Sequence, residues 1–202
     1  QSQLAITEGQ LFELMARRGR LSAERDSVDT VTFDDVLISV GTANPDISEL
    51  IKGQTNLFFA RRDSVARETE QLGKREAQIG NQIAGIDAQK TSLARQLELI
   101  QQELEAQETL LDRGLAQAGT VLALHRQEAS LFGQLGELAA SKAEAEGRIT
   151  EIDLEVLKLA TGRREEAITR LRDLRYRELE LTERRGALLL EIAQLDIRAP
   201  VS

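Results

Sequence analysis

Few side chains in this sequence could do chemistry. His125 is the single histidine, and there is no cysteine. A zinc-type site draws on several thiolates, imidazoles or carboxylates. One histidine without cysteine or a paired carboxylate does not assemble such a site. Glu103/Glu105 and Glu165-Glu166 are paired acids of the kind that general acid–base chemistry uses. On a helix surface they more often form a solvated face with arginines one turn away. Ser, His and Asp all occur, but a straight coiled coil offers no concave pocket to bring them together. No glycine-rich phosphate loop follows a strand. Gly73, Gly80 and Gly85 fall in a helical stretch and read as points of close helix approach. The residues predict a protein that is not an enzyme, holds no metal or cofactor, and works through its surfaces.

The composition says what those surfaces are built on. Aromatics are 3% of the 202 residues, charged residues 30%, and there are two prolines and no tryptophan. Aromatic bulk dominates the burial of most compact cores, so its scarcity predicts a thin aliphatic seam between long helices. With 26 basic and 34 acidic residues the net charge is −8. Arg163 to Arg185 holds eight arginines but also six acids, a mixed-charge solvated face rather than a basic patch. Nucleic acid is excluded as a partner on this balance. The lack of cysteine suits an oxidising compartment. No apolar run reaches 18 residues, and no signal peptide opens the chain. Gln1 and Ala199-Pro200-Val201-Ser202 read as the cut ends of a soluble segment of a longer protein.

Periodicity then divides the chain. Leu4, Leu11, Leu14, Met15 and Leu21 place a short amphipathic helix over 1–25. Residues 26–48 hold a β-branched run, then Gly41 and Asn44-Pro45, and read as an extended connector packing its apolar residues on neighbouring helices. Asp46 or Ser48 can cap the next helix, 49–112. Its seam alternates steps of four and three from Ile79 through Ile83, Ile86, Lys90, Leu93, Leu97, Ile100, Leu104 and Gln107 to Leu111, the spacing of a coiled coil. Gly114 and Gly119 mark a reversal over 113–119. The third helix, 120–195, has a first seam from Leu124 to Val156. A second frame runs through Ala160, Arg164, Ala167, Leu171 and Leu174 to Leu195. The successive steps of four at their join form a stutter. On length, the first two helices laid end to end match the third. The fold class is all-α: an elongated antiparallel coiled-coil hairpin with an additional short N-terminal helix.

At this point the residues resemble a family. Leu195-Asp196-Ile197-Arg198-Ala199-Pro200 is similar to the entry into the second half-lipoyl motif of HlyD-like membrane fusion proteins, so 196–202 is expected to begin a lipoyl-like strand. Gly53-Gln54, Leu57-Phe58 and Arg61-Arg62, with Val31-Thr32-Phe33 and Val36-Leu37 before them, resemble the type I secretion branch, within it the protease and lipase exporters. Leu110-Leu111, Gly114-Leu115, Leu122, Leu124, Arg126, Ala129 and Gly133 look like that branch's hairpin tip. Many adaptor tips carry an arginine four residues before the leucine pair and a serine after the turn; here Ala106 and Ala116 or Gln117 stand there.

The resemblance implies a periplasmic segment of a protein anchored in the bacterial inner membrane. It would be recruited by an inner-membrane ABC transporter and bridge to a TolC-like outer-membrane channel. A homo-oligomeric ring would enclose the secreted polypeptide. A drug-efflux adaptor hairpin and a structural coiled-coil scaffold are the alternatives. The expected channel contact is the tip: Leu110, Leu111, Arg113, Gly114, Leu115, Gln117 and Thr120. Against it stands the alternative that Leu115 merely packs back on Leu111 or Leu122.

Overall fold

The computed structural model describes residues 2–195 and contains four helices and no strand among them: α1 (Ser2–Asp26), α2 (Asp35–Ala43), α3 (Pro45–Asp112) and α4 (Ala118–Leu195). The strand expected over 196–202 lies outside the described residues. The chain forms two compact units, one of Thr69–Val156 and one of Gln1–Glu68 with Leu157–Ser202.

In the unit Thr69–Val156, α3 and α4 pack antiparallel along the expected seam. All ten expected α3 positions from Ile79 to Leu111 are buried or half-buried, and neighbours such as Gln96 are exposed. The α3 seam begins earlier than expected, at Leu72 and Thr69, and the α4 seam one step earlier, at Val121. The polar members of the α4 seam, Glu128 and Lys142, are partnered. The Lys142 ammonium donates to both Asp87 carboxylate oxygens at 2.8 Å, and the Gln101 amide donates to Glu128 at 3.0 Å. The hydrogen bonds it donates to Asp87 hold the Lys142 ammonium above the ordinary lysine value. The lysine side of this pairing is therefore charged at neutral pH and is lost as strong alkali deprotonates Lys142.

The other unit is a bundle of three helices with α2 laid on it. Here two expectations are corrected. Residues 26–48 are not extended throughout, because α2 occupies Asp35–Ala43. Burial outweighs the poor helix propensity of its β-branched residues: Leu37 is fully buried against Phe12, Ala16 and Ile47. Asn44 ends α2 by donating its N–H to the Val40 carbonyl at 2.9 Å. Its side-chain oxygen accepts from the Asp46 N–H at 3.0 Å. Asn44 thus caps α3, with Pro45 in the first helical position, where a missing N–H costs nothing. Neither Asp46 nor Ser48 is the cap.

The second correction concerns α1, which does not lie end to end with α3. It runs parallel to the start of α3, as successive contacts show: Phe12 and Ala16 with Ile47 and Ile51, Arg20 with Gln54, and Glu24 with Arg61. Both helices run antiparallel to α4, where Glu8 pairs with Arg185 at 2.8 Å and Arg18 with Glu178 at 3.2 Å. The connector makes this possible by folding back along α1, so that Phe33 reaches Gly19 and Leu37 reaches Ala16. The arrival of α1 also changes which α4 residues face inward. Leu159 and Arg163 turn in, while the expected seam members Ala160 and Arg164 are exposed. The run of four-residue steps therefore spans Leu159, Arg163, Ala167 and Leu171. Leu21 of α1 packs on Ala167 and Leu174 beyond it.

Gly19 is where α1 and the returning connector touch most closely. An added Cβ would lie 2.7 Å from Phe33 Cδ1 and 2.8 Å from the Thr32 carbonyl oxygen, and the second of these is backbone. Gly19→Ala should cost about 1–3 kcal/mol through overpacking. Gly9→Ala, which meets nothing within 4 Å, should be neutral or stabilise by about 0.5–1 kcal/mol through helix propensity. Urea melts of the two variants check this; an equal response would mean that the connector does not touch α1.

Candidate functional site

The reversal between α3 and α4 is a Schellman motif. Gly114 is left-handed, with φ of 72°. Its N–H donates to the Leu111 carbonyl at 2.8 Å, and the Leu115 N–H donates to the Leu110 carbonyl at 2.9 Å. Two carbonyls that the helix end would leave unpaired are satisfied in this way. A side chain at position 114 would be strained in this conformation. α4 begins at Ala118, with the Thr120 N–H donating to the Gln117 carbonyl at 3.0 Å.

The turn sorts the expected contact residues. Leu111 points inward, half-buried against the core of Leu104, Val121 and Leu124. It contributes to the hairpin's own packing. Arg113, Gly114, Gln117 and Thr120 are exposed. Leu115 is 73% exposed, so it does not pack back on Leu111 or Leu122; Leu122 is itself 57% exposed and Leu110 36%. Leu122 was absent from the expected contact set. Its sign in the sequence was its place one residue after the first inward residue of α4, which only a correctly phased Val121 reveals. The seam as read began at Leu124.

Charge surrounds these leucines asymmetrically. Residues 98–112 carry five acids and no base. On α4 the exposed His125 imidazole lies between two carboxylates, with Nε2 at 3.1 Å from Glu108 and Nδ1 at 3.6 Å from Glu128. Arg113 pairs with no acid among the described residues. The arrangement suits binding rather than bond chemistry: an apolar knob on a rigid turn, next to one cation and above an acidic shaft. No helix among the described residues is long and apolar enough to cross a membrane.

Comparison with known proteins places this geometry. The chain is 36% identical over 201 residues to the type I secretion system membrane fusion protein PrsE of Rhizobium meliloti (strain 1021). That alignment takes in 98% of this chain and 45% of PrsE, so the chain spans about half the length of the relative. The crystal structure of the soluble domain of LipC, a membrane fusion protein of a type I secretion system, superposes with a TM-score of 0.93. The match covers all of this chain and 94% of that one at 23% identity, and it shows the shared fold. A family model described as "AprE, long alpha-helical hairpin" matches residues 1–190. The chain belongs to the AprE long α-helical hairpin family.

Proposed function

We propose that the chain is the hairpin of a periplasmic adaptor, a non-enzymatic part of a type I secretion machine. In this reading the parent protein is anchored in the inner membrane and recruited there by an ABC transporter. The hairpin reaches towards a TolC-like outer-membrane channel, and a ring of copies encloses the exported polypeptide. Membership of the AprE family and the name of the 36% identical relative support the secretion role. The observation that carries the channel contact is Leu115, an apolar side chain held out on a turn that has no other use for it. Exposed apolar groups of this kind mark interaction sites when they gather in a patch, and Leu110 and Leu122, on either side of the turn in sequence, are exposed as well.

Leu115→Asp and Arg113→Glu should leave helicity and melting nearly unchanged, because neither side chain contributes to the core. Leu115→Asp should abolish secretion, and Arg113→Glu should slow it, since a rim charge acts more on encounter than on stability. Leu111→Ala should behave differently, lowering the melting temperature through lost packing. Crosslinking from Gln117 in cells making the full-length parent should capture the outer-membrane channel. Crosslinks to the inner-membrane transporter alone, with normal secretion by both tip variants, would put this end at the wrong side of the machine.

A further inference from the structure

We propose that the cavity beside Arg163 is an anchor pocket for a glutamate or aspartate side chain of a partner polypeptide. Arg163 turns into the bundle where the seam periodicity alone would place Arg164. Its guanidinium lies over the Phe58 ring, 5.7 Å from the centroid. Its Nε is fully buried with no hydrogen-bond partner. A buried N–H without an acceptor is rare, and its desolvation goes uncompensated. Beside it opens a cavity of about 300 Å³, walled by Val28, Phe58, Val65 and Ala160. That is far beyond the ~10–15 Å³ that one water needs, and it leaves room for a side chain.

The charges at this cavity select the occupant. Two acids line it, and both are committed. Glu24 is held by Arg20 at 2.6 Å and Arg61 at 3.2 Å, and Asp29 by Arg62 at 2.8 Å. Arg163 pairs with no carboxylate among the described residues, so a single cation remains uncompensated. One monoanion matches it. A guanidinium presents Nε–H and Nη–H as a fork that fits a carboxylate in two parallel hydrogen bonds, and Arg163 lines the cavity. The apolar walls suit the aliphatic stem of the acid and a flanking valine or leucine. A polypeptide fits these features better than free phosphate, which brings a second charge and no apolar stem.

The test uses the whole chain and the Nε–H resonance of Arg163 in a proton–nitrogen spectrum. The probes are the peptide acetyl-Val-Glu-Val-amide, its Gln counterpart and inorganic phosphate. The Glu peptide should shift the resonance saturably, and the Gln peptide and phosphate should each bind at least about tenfold more weakly, a difference of about 1.4 kcal/mol. Ala160→Leu, which fills the cavity from an exposed helix position, should abolish the shift while leaving melting unchanged or raised. In Arg163→Gln, backbone resonances of Val28 and Val65 should no longer respond to the Glu peptide. Equal binding of the Gln peptide would reduce the site to an apolar hole, and a shift with phosphate alone to a bare cation. Absence of any saturable shift at millimolar peptide, or binding that survives Ala160→Leu, would overturn the proposal. None of these readouts depends on where the hairpin tip docks.

Discussion

Glu24→Ala should destabilise the unit formed by α1, α2, the start of α3 and the end of α4 by about 3–5 kcal/mol. Glu24 and Arg20 are the most enclosed ion pair described, 4% and 5% exposed. Glu24 accepts from Arg20 and, through its second oxygen, from Arg61. Arg61 reaches on to Glu166 at 3.1 Å, and Glu166 to Arg170 at 2.6 Å. Arg20 also donates from Nε to the Gln54 amide oxygen at 2.8 Å. Removing the one carboxylate common to Arg20 and Arg61 strands a buried guanidinium, and that desolvation accounts for most of the loss. The paired change Arg20→Met with Glu24→Leu should cost far less, because no charge is left behind. Glu70→Ala, which breaks an exposed pair with Lys74, should cost under about 1 kcal/mol. Denaturant melts of the three variants decide the matter. Equal losses from Glu24→Ala and Glu70→Ala would mean that Glu24 is solvated in solution.

The second large effect is Leu37→Ala, at about 2–5 kcal/mol. Leu37 is 0% exposed and sits between α1 and α3 with Phe12, Ala16 and Ile47. Truncation opens a cavity where α2 is pinned to the bundle, and a nine-residue helix has little stability of its own to hold it closed. Val36→Ala, on the exposed face of the same helix, should change little. Hydrogen exchange across α2 separates local from global loss. Fast exchange confined to residues 35–43 in the Leu37 variant would show α2 detaching while the three long helices persist. Identical melts for the two variants would remove Leu37 from the core.

The same helix shows where the sequence was legible and where it was not. The hairpin seam could be read because its period repeats over many turns, and a single phase puts all ten seam positions from Ile79 to Leu111 inside. The helical character of α2 could not. Val36, Ile38 and Val40 argue locally against helix, and the α1 partners that override them, Phe12 and Ala16, lie far away in sequence. Asn44-Pro45 signalled a break correctly, but the break is a joint between two helices and not the end of a loop. Phase was lost at Ala160 for a related reason. The choice between Leu159/Arg163 and Ala160/Arg164 depends on a third helix arriving beside α4, and the periodicity of α4 alone holds no record of it. At the tip, Gly114 and the exposure of Leu115 followed from the glycine and the end of the seam. Leu111 closes the α3 seam in the sequence and turns inward under Val121 and Leu124, although it also stood in the expected contact set.

The polar residues of the hairpin seam have a consequence for how the chain finds its fold. An aliphatic coiled coil is nearly periodic, so sliding one helix by seven residues again sets leucine against leucine. Here such a slip is penalised. Moved one heptad in one direction, Lys142 loses Asp87 for Ala94, and Glu128 comes opposite Glu108; in the other direction Lys142 meets Gly80 and Glu128 meets Ala94. Either misaligned hairpin leaves charges facing carbon, or acid facing acid, over the whole time it persists. The tight turn at Gly114 brings the nearest seam residues together at small loop-closure cost, so pairing can spread from that end. Gln101–Glu128 is met first and Asp87–Lys142 next, two successive tests of alignment on one growing zipper. A variant with leucine at all four positions would gain burial and lose this proofreading, and should populate slipped hairpins during refolding.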